Sequence, residues 1–152
     1  MRNQKGFTLI ELLVVIAIIG LLSTLAVISL NNARQKSRDS KRVADVKQIQ
    51  TALELYYNDK NGYPATFNIN NGGCLSDASG FAASGCTGTT YMSAVPAAPS
   101  PNDGTCTVAT NYYSYTITGG APYTTYSLTY CLGALTGGVA AGAHTATPAG
   151  IQ

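Results

Sequence analysis

The sequence predicts an α+β protein in which one long N-terminal helix, covering about residues 7–58, packs by its second half against a small antiparallel β-sheet. Three observations support this fold class. An almost uninterrupted apolar run covers residues 7–30, and apolar side chains then recur at helical spacing as far as Tyr56. Two segments with alternating apolar side chains follow, with a Gly- and Pro-containing turn between them.

The first element is a helix long enough to cross a membrane. Residues 7–30 carry one charge, Glu11. At about 1.5 Å per residue this run extends for roughly 36 Å, more than the hydrocarbon core of a bilayer at about 30 Å. A secretory signal peptide has a shorter apolar core of about 7–15 residues and a small-residue cleavage site after it. We therefore predict a membrane-spanning segment that stays with the protein and follows a short segment, residues 1–6, without an apolar run.

The second half of the helix, residues 31–60, is amphipathic. Its apolar side chains recur in steps of three and four, at Val43, Val46, Ile49, Leu53 and Tyr56. The pairs Asp39–Arg42 and Lys41–Asp45 have helical spacing, and we expect them to support an exposed face. The dipeptide Asn61-Gly62, followed closely by a proline, predicts the end of the helix.

Six Lys and Arg side chains follow the apolar run between residues 34 and 47. We interpret them as a solvated helix face, and contact with anionic lipid head groups or with DNA along a fibre is the alternative. The number of these cations argues that the chain after the apolar run lies in the cytoplasm, because the cytoplasmic end of a membrane-spanning segment usually carries more Lys and Arg. The cysteines and the nearly uncharged remainder of the chain argue for the opposite orientation, which we adopt.

The remainder, residues 61–152, is called the head, and its pattern predicts β-structure and loops. Residues 63–106 read as a long loop region with one short strand near residues 89–95. Residues 111–118 and 124–131 alternate as a hairpin does, and we expect Thr118 to pair with Tyr123. The Gly-, Ala- and Thr-rich tail, residues 133–152, fits either a weak edge strand or a flexible segment. The tyrosines of the hairpin read as sheet-face packing, with a sticky outer surface as the alternative.

Four cysteines predict two disulfide bonds. No CxxC spacing occurs and the chain has one histidine, which disfavours a metal site. An even number of cysteines in an exported domain indicates disulfides. The hairpin register brings Cys106 close to Cys131, which leaves Cys74 to pair with Cys86.

The head is poor in the side chains that most functions need. From residue 61 onward the only charged side chains are Asp77 and Asp103. The lack of a basic stripe disfavours direct nucleic-acid binding, and two carboxylates far apart in sequence read as turn residues rather than calcium ligands. No Cys-His or Ser-His spacing or cluster of acids indicates a general base, so we expect no catalysis and no cofactor.

The segment Lys5-Gly6-Phe7-Thr8-Leu9-Ile10-Glu11-Leu12-Leu13-Val14-Val15-Ile16-Ala17-Ile18-Ile19-Gly20 closely resembles the N-terminus of bacterial type IV pilins and type II secretion pseudopilins. The resemblance implies that residues 1–6 are a cytoplasmic leader peptide, that a prepilin peptidase cuts between Gly6 and Phe7, and that the new amine of Phe7 is methylated. It implies further that Glu11 sets the register of assembly by pairing with an amino terminus. The fold implied is the pilin ladle.

The resemblance also implies local melting of the helix during assembly. The proline that often breaks the helix in this family would fall at Ile28 and is missing here. Any melting therefore depends on Gly20, Ser23 and Thr24.

The function that the resemblance implies is structural, a subunit of a type IV pilus that serves adhesion, twitching motility or DNA uptake. The precursor would cross the inner membrane once and later form a homopolymer outside the cell, driven by an assembly ATPase and an inner-membrane platform protein. The alternatives are a major pseudopilin of a type II secretion system, a minor or tip pilin acting as a tethered binding protein, and an anchored enzyme. The resemblance implies an acidic calcium loop near the C-terminus for the pseudopilin, and no acid follows Asp103.

Overall fold

The structure is a computed structural model that describes residues 6–65 and 72–151. Within these residues it has one helix, α1, and seven strands. Their bounds are α1 (Leu9–Lys60), β1 (Cys74–Ser76), β2 (Gly80–Ala82), β3 (Thr90–Met92), β4 (Ser114–Thr118), β5 (Thr125–Leu132), β6 (Gly142–Thr147) and β7 (Gly150–Ile151). The chain divides into two compact units, one up to Arg34 and one from Gln35 onward. The predicted α+β class, a long helix with small antiparallel sheets, is confirmed.

Helix α1 ends where the sequence predicts a stop. Asn61 has a positive φ of 53°, and its amide donates a hydrogen bond to the Tyr57 carbonyl oxygen over 2.8 Å. Asparagine tolerates this left-handed conformation better than most residues, which makes it a common residue after the last helical turn. The last helical residue is Lys60, two residues beyond the predicted boundary.

The larger sheet has the strand order β4-β5-β6-β7, with every pair antiparallel. The predicted hairpin forms, but its register is wrong by two residues, since Thr118 pairs with Thr125. Tyr123 is held elsewhere, because its carbonyl oxygen accepts a hydrogen bond of 2.7 Å from the Tyr63 amide at the end of the helix. A shift of two residues leaves every side chain on its predicted face of the sheet.

The segment between the helix and the hairpin contains more structure than the sequence suggests. Strand β3 lies in the predicted place, but β1 and β2 occupy a region predicted as loop, and the three form a small sheet in the order β2-β1-β3. Each strand has only three residues, too few for the alternation that identifies a strand. The tail was predicted as either an edge strand or a flexible segment, and it forms strands, β6 and β7.

The core lies between the second half of α1 and the inner faces of the two sheets. Val46, Ile49 and Leu53 of the helix are fully buried. They belong to one apolar cluster with side chains of both sheets, including Leu75, Phe81, Tyr115, Tyr126, Leu128 and Leu132. The rings of Tyr63 and Tyr126 contact edge to face at a centroid separation of 4.7 Å, an arrangement that adds to the stability gained from burial. The hairpin tyrosines are therefore mainly core residues, although Tyr112 is 54% exposed.

Candidate functional site

The predicted cleavage junction lies on exposed, non-helical chain directly before α1. Gly6 and Phe7 are exposed and precede the first helical residue, Leu9. A Cβ added to Gly6 would meet nothing within 4 Å, so its backbone is open to approach from solution or from a membrane enzyme. The geometry is compatible with the predicted cut between Gly6 and Phe7, which stays a prediction.

Glu11 begins the helix through a reciprocal pair of hydrogen bonds with Thr8. Its carboxylate accepts from the Thr8 amide at 2.8 Å and from the Thr8 hydroxyl at 2.6 Å. The Glu11 amide in turn donates to the Thr8 hydroxyl oxygen at 3.3 Å. This is the capping-box arrangement, in which a threonine before the helix and a glutamate three residues later satisfy amides that have no helical partner. The sequence analysis missed this role, although the spacing Thr-x-x-Glu signals it.

The side chains of the apolar half of α1 are exposed. Its large side chains are between 46% (Val15) and 85% (Phe7) exposed from Phe7 to Leu30. By length and composition, this helix could cross a membrane. Soluble proteins rarely expose an apolar surface larger than a few hundred Å², and larger patches mark protein or membrane contacts.

The residues predicted to allow melting lie in continuous helix in this single chain. Gly20 has open space around it. The hydroxyl of Ser23 donates to the Ile19 carbonyl oxygen at 2.7 Å, and that of Thr24 to the Leu21 carbonyl oxygen at 2.8 Å. Such side-chain bonds compete with the helical amides for the same carbonyls, so local unwinding during assembly stays a prediction.

Directly beyond the apolar half, three charged residues that we predicted on an exposed face are buried. Asp39, Arg42 and Asp45 have exposed fractions of 0%, 1% and 7%. The expectation of a fully solvated face was wrong because loops of the head cover this side of the helix and supply hydrogen-bond partners there. Buried charges are stable only when paired and hydrogen-bonded.

Arg42 is the centre of this buried cluster. Its guanidinium bonds the Asp39 carboxylate at 2.7 Å, the Pro99 carbonyl oxygen at 3.1 Å and the Asn111 side-chain oxygen at 2.9 Å. It also lies 3.6 Å from the Asp103 carboxylate. Three loop positions of the head are therefore tied to one helical side chain.

Asp39 and Asp45 are held by the head as well. The Asp39 carboxylate accepts hydrogen bonds from the amides of Gly133 and Ala134, each at 2.9 Å. Asp45 accepts one from the Tyr113 hydroxyl at 2.9 Å, and burial, reinforced by this carboxylate, raises the pKa of that tyrosine.

The loops carrying Asp103 and Gly133 approach very closely. Gly104 has a positive φ of 52°, and a Cβ there would overlap the carbonyl oxygen of Gly133. Only glycine permits this approach. Asp103 itself binds the guanidinium of Arg38 through two hydrogen bonds, so it is an ion-pair partner rather than only a turn residue.

Acid is expected to destabilise the head through Asp103. The hydrogen bonds from Arg38 lower the pKa of the Asp103 carboxyl. A carboxyl whose pKa is lower in the folded than in the unfolded chain, where it is about 3.9, stabilises the fold above that value. This contribution is lost as the pH falls through the folded pKa. Unfolding measured at a series of pH values should therefore show a loss of stability below about pH 4.

The matched control is Asp103→Asn, which cannot titrate. Its free energy of unfolding should be lower than the parent's at neutral pH and should change less over the same acid range. Near-ultraviolet circular dichroism of the ten tyrosines follows the unfolding. A variant with the parent's full acid dependence would contradict the assignment to Asp103.

The structure pairs the cysteines as the hairpin argument predicts. Cys106 is bonded to Cys131, and Cys74 to Cys86. The first bond ties the loop before β4 to the end of β5, and the second closes the segment around β1 and β2. Within residues 6–65 and 72–151, no three His, Cys, Asp or Glu side chains are close enough to share a metal ion.

The N-terminal segment matches a known protein-family model. Residues 1–27 match the family model described as the prokaryotic N-terminal methylation motif. The predicted resemblance to the N-terminus of type IV pilins and pseudopilins is thereby confirmed.

Curated relatives share a longer stretch. The chain is 43% identical over 65 residues to the type II secretion system core protein G of Aeromonas hydrophila, which covers 43% of this chain and 46% of the relative. For the protein of the same name from Escherichia coli strain K12, identity is 42% over 64 residues, or 42% of this chain and 44% of the relative. The protein of the same name from Vibrio cholerae is 39% identical over 66 residues, which cover 43% of this chain and 45% of the relative.

The alignments thus span less than half the length of these relatives. No solved structure matches the chain. The similarity to these relatives covers 64 to 66 residues, and it does not extend to the whole of either protein.

Proposed function

We propose that this chain, which carries a prepilin-type N-terminal motif, is the subunit of a filament built through its N-terminal helix. The precursor is inserted in the inner membrane by residues 7–30, cut between Gly6 and Phe7 by a prepilin peptidase, and methylated on Phe7. A platform protein in the membrane and an assembly ATPase then move it into a homopolymer outside that membrane. One observation carries the proposal: the bare apolar surface of residues 7–30 requires first lipid and later other copies of itself.

Of the two filament types considered, we favour that of a type II secretion system, in which this chain would be the pseudopilin. The relatives described above are all named type II secretion system core protein G, which supports this alternative better than the pilus expected from the sequence. A pilus subunit remains the second candidate. It is favoured by the lack of any acid after Asp103 and by the use of Asp103 in binding Arg38, which leaves no carboxylate there for a calcium loop.

The decisive measurement is the N-terminal residue of the protein recovered from its own cells. Mass spectrometry of the membrane and sheared surface fractions should find a chain that begins with N-methylated Phe7. A chain that still begins at Met1 and never self-associates would overturn the proposal.

The two filament types differ in a second readout. Loss of a secretion pseudopilin should leave exported proteins inside the cell envelope, and wild-type cells should show few long surface fibres. If the protein is instead abundant in long sheared fibres and its loss leaves secretion unchanged, the pilus reading replaces the pseudopilin one.

A further inference from the structure

The outward face of the larger sheet carries an array of hydroxyl side chains. Successive side chains of a strand point to opposite faces, and one set of positions in β4, β5 and β6 is buried in the core, as Tyr115, Leu128 and Ala146 are. The other set faces outward, and its serines and threonines are half-buried or exposed. These outward hydroxyl residues are Ser114, Thr116, Thr118, Thr125, Ser127, Thr129 and Thr145.

The strand register aligns these hydroxyl groups in rows across the sheet. Ser114 pairs with Thr129, and Thr129 pairs with Thr145, so that one row crosses three strands. Two shorter rows lie between this row and the turn that joins β4 to β5. With about 3.4 Å per residue along a strand and about 4.8 Å between strands, the rows cover roughly 14 by 10 Å.

The row from Ser114 to Thr145 is available to a ligand. In the row next to the turn, the hydroxyls of Thr118 and Thr125 bond each other at 2.9 Å. In the row that crosses three strands, no hydroxyl forms a hydrogen bond with any residue that the structure describes. A hydroxyl group donates one hydrogen bond and accepts two, so this row offers both donors and acceptors to a partner.

A hollow opens at the end of this row, under the loop formed by residues 107–112. The disulfide between Cys106 and Cys131 fixes the start of this loop next to the sheet. The hollow has a volume of about 150 Å³, well above the space that one water molecule needs. The side chains that border it include Ala109, Thr110, Tyr112, Ser114, Thr129 and Ala143. Tyr112 is 54% exposed, so its ring is open to contact at the edge of the hollow.

The chemistry of the occupant follows from the charge of this surface. Neither the array nor the border of the hollow carries a charged side chain, and Asp77 and Asp103 of the head are engaged with cations of the same chain. A nucleic acid or an acidic lipid would find no counter-charge here. Protein interfaces depend on clustered aromatic and arginine anchors, and this surface has one exposed ring. A neutral ligand rich in hydroxyl groups remains.

We propose that the outward face of β4, β5 and β6, together with the hollow beside Tyr112, binds a neutral polysaccharide of β-linked glucose units. Such a chain is extended and nearly flat, with hydroxyl groups along the edges of its rings and C–H groups on their faces. The row from Ser114 to Thr145 exchanges hydrogen bonds with the ring edges, and the Tyr112 ring packs on a C–H face. The inference goes beyond the proposed filament function and does not depend on it, because a single chain carries the whole surface.

The first test measures binding directly. The full chain, kept in solution by a detergent without a sugar head group, is titrated with cellohexaose and with glucose by isothermal titration calorimetry. Cellohexaose should bind at least about tenfold more tightly than glucose, because one ring fills the hollow while several rings also cover the row. Absence of cellohexaose binding, or equal Kd values for the two sugars, would overturn the proposal.

Two substitutions locate the site. Tyr112→Ala should raise the Kd for cellohexaose by about tenfold or more, since it removes the ring that packs on the sugar. Thr129→Val keeps a β-branched side chain of the same shape but removes a hydroxyl group, and it should raise the Kd by about twofold to tenfold, the effect of one neutral hydrogen bond. Unchanged Kd values in both variants would reject this face as the site.

Matched controls remove the same groups elsewhere. Leu55→Ala deletes a large side chain of α1 that is 52% exposed, and Thr90→Val deletes an exposed hydroxyl of β3. Both should bind cellohexaose as the parent does. Denaturant unfolding of all four variants should show midpoints close to the parent's, since substitutions at exposed positions have small effects on stability. A loss of binding in the controls equal to that in Tyr112→Ala would contradict the assignment.

Hydrogen exchange of the unaltered chain tests the same location without substitutions. Saturating cellohexaose should slow the exchange of backbone amides in residues 107–112 and leave residues 80–92, in the smaller sheet, unchanged. Slower exchange in residues 80–92 alone would place the sugar elsewhere and overturn the proposal.

Discussion

Replacing Arg42 with methionine is expected to lower the free energy of unfolding of the head by about 3–5 kcal/mol, because removing one partner of a buried ion pair leaves a buried charge without compensation. Asp39 would keep its two backbone amide donors but lose its counter-ion. The loop positions at Pro99 and Asn111 would lose their links to the helix. Methionine fills a similar length with apolar atoms, so the loss is mainly electrostatic.

Lys41→Met is the matched control for this prediction. It removes a cation from the adjacent residue, but Lys41 is exposed, and surface substitutions usually change stability by less than about 0.5 kcal/mol. Denaturant unfolding of the detergent-solubilised chain, followed by the tyrosine near-ultraviolet signal, measures both variants. Equal stability of the two variants would show that the buried cluster contributes no more than an exposed lysine.

Replacing Glu11 with glutamine is expected to leave cleavage at Gly6 intact and to reduce filament formation by roughly tenfold or more, the effect of about 1.4 kcal/mol per subunit contact. Glutamine also serves at this position of a capping box, so the start of the helix should persist. What the variant removes is the one formal charge in the apolar half of the helix. A carboxylate in lipid is costly and is usually paired, and the amino terminus of a processed subunit is the counter-charge that we propose.

The control for Glu11 separates capping from charge. Thr8→Val removes the bond that the Thr8 hydroxyl donates to the Glu11 carboxylate and the one that it accepts from the Glu11 amide, but keeps the charge. It should assemble far better than Glu11→Gln if pairing between subunits is the main role. Equal defects in both variants would assign Glu11 to the capping of its own helix, and normal filaments from Glu11→Gln would refute the pairing.

Much of the candidate site could be read from the sequence because it depends on local chain properties. A 24-residue run with one carboxylate is apolar whatever it packs against, and the motif around Gly6 and Phe7 is contiguous. The capping role of Glu11 was equally readable from its spacing to Thr8. The charge cluster was not, because whether Arg42 faces water or Asp103 depends on loops more than fifty residues away.

The two errors in the fold have different physical origins. The hairpin register depended on Tyr123, which bonds to Tyr63 at the end of the helix instead of joining the ladder. Strands β1 and β2 are short, and their pairing accompanies a disulfide across the same segment. In the first case a contact distant in sequence overrides the local pattern, and in the second case three residues per strand are too few to show a pattern.

Periodicity and composition were sufficient to determine the long helix, its membrane-competent half and its stop near Asn61, since these follow from interactions within a few residues. The same pattern could not separate Arg42 from Lys41, which are neighbours of similar charge. Tertiary structure made that distinction by bringing buried partners to one residue and leaving the other in water, because a charge enters a protein interior only where opposite charges and hydrogen bonds replace its hydration.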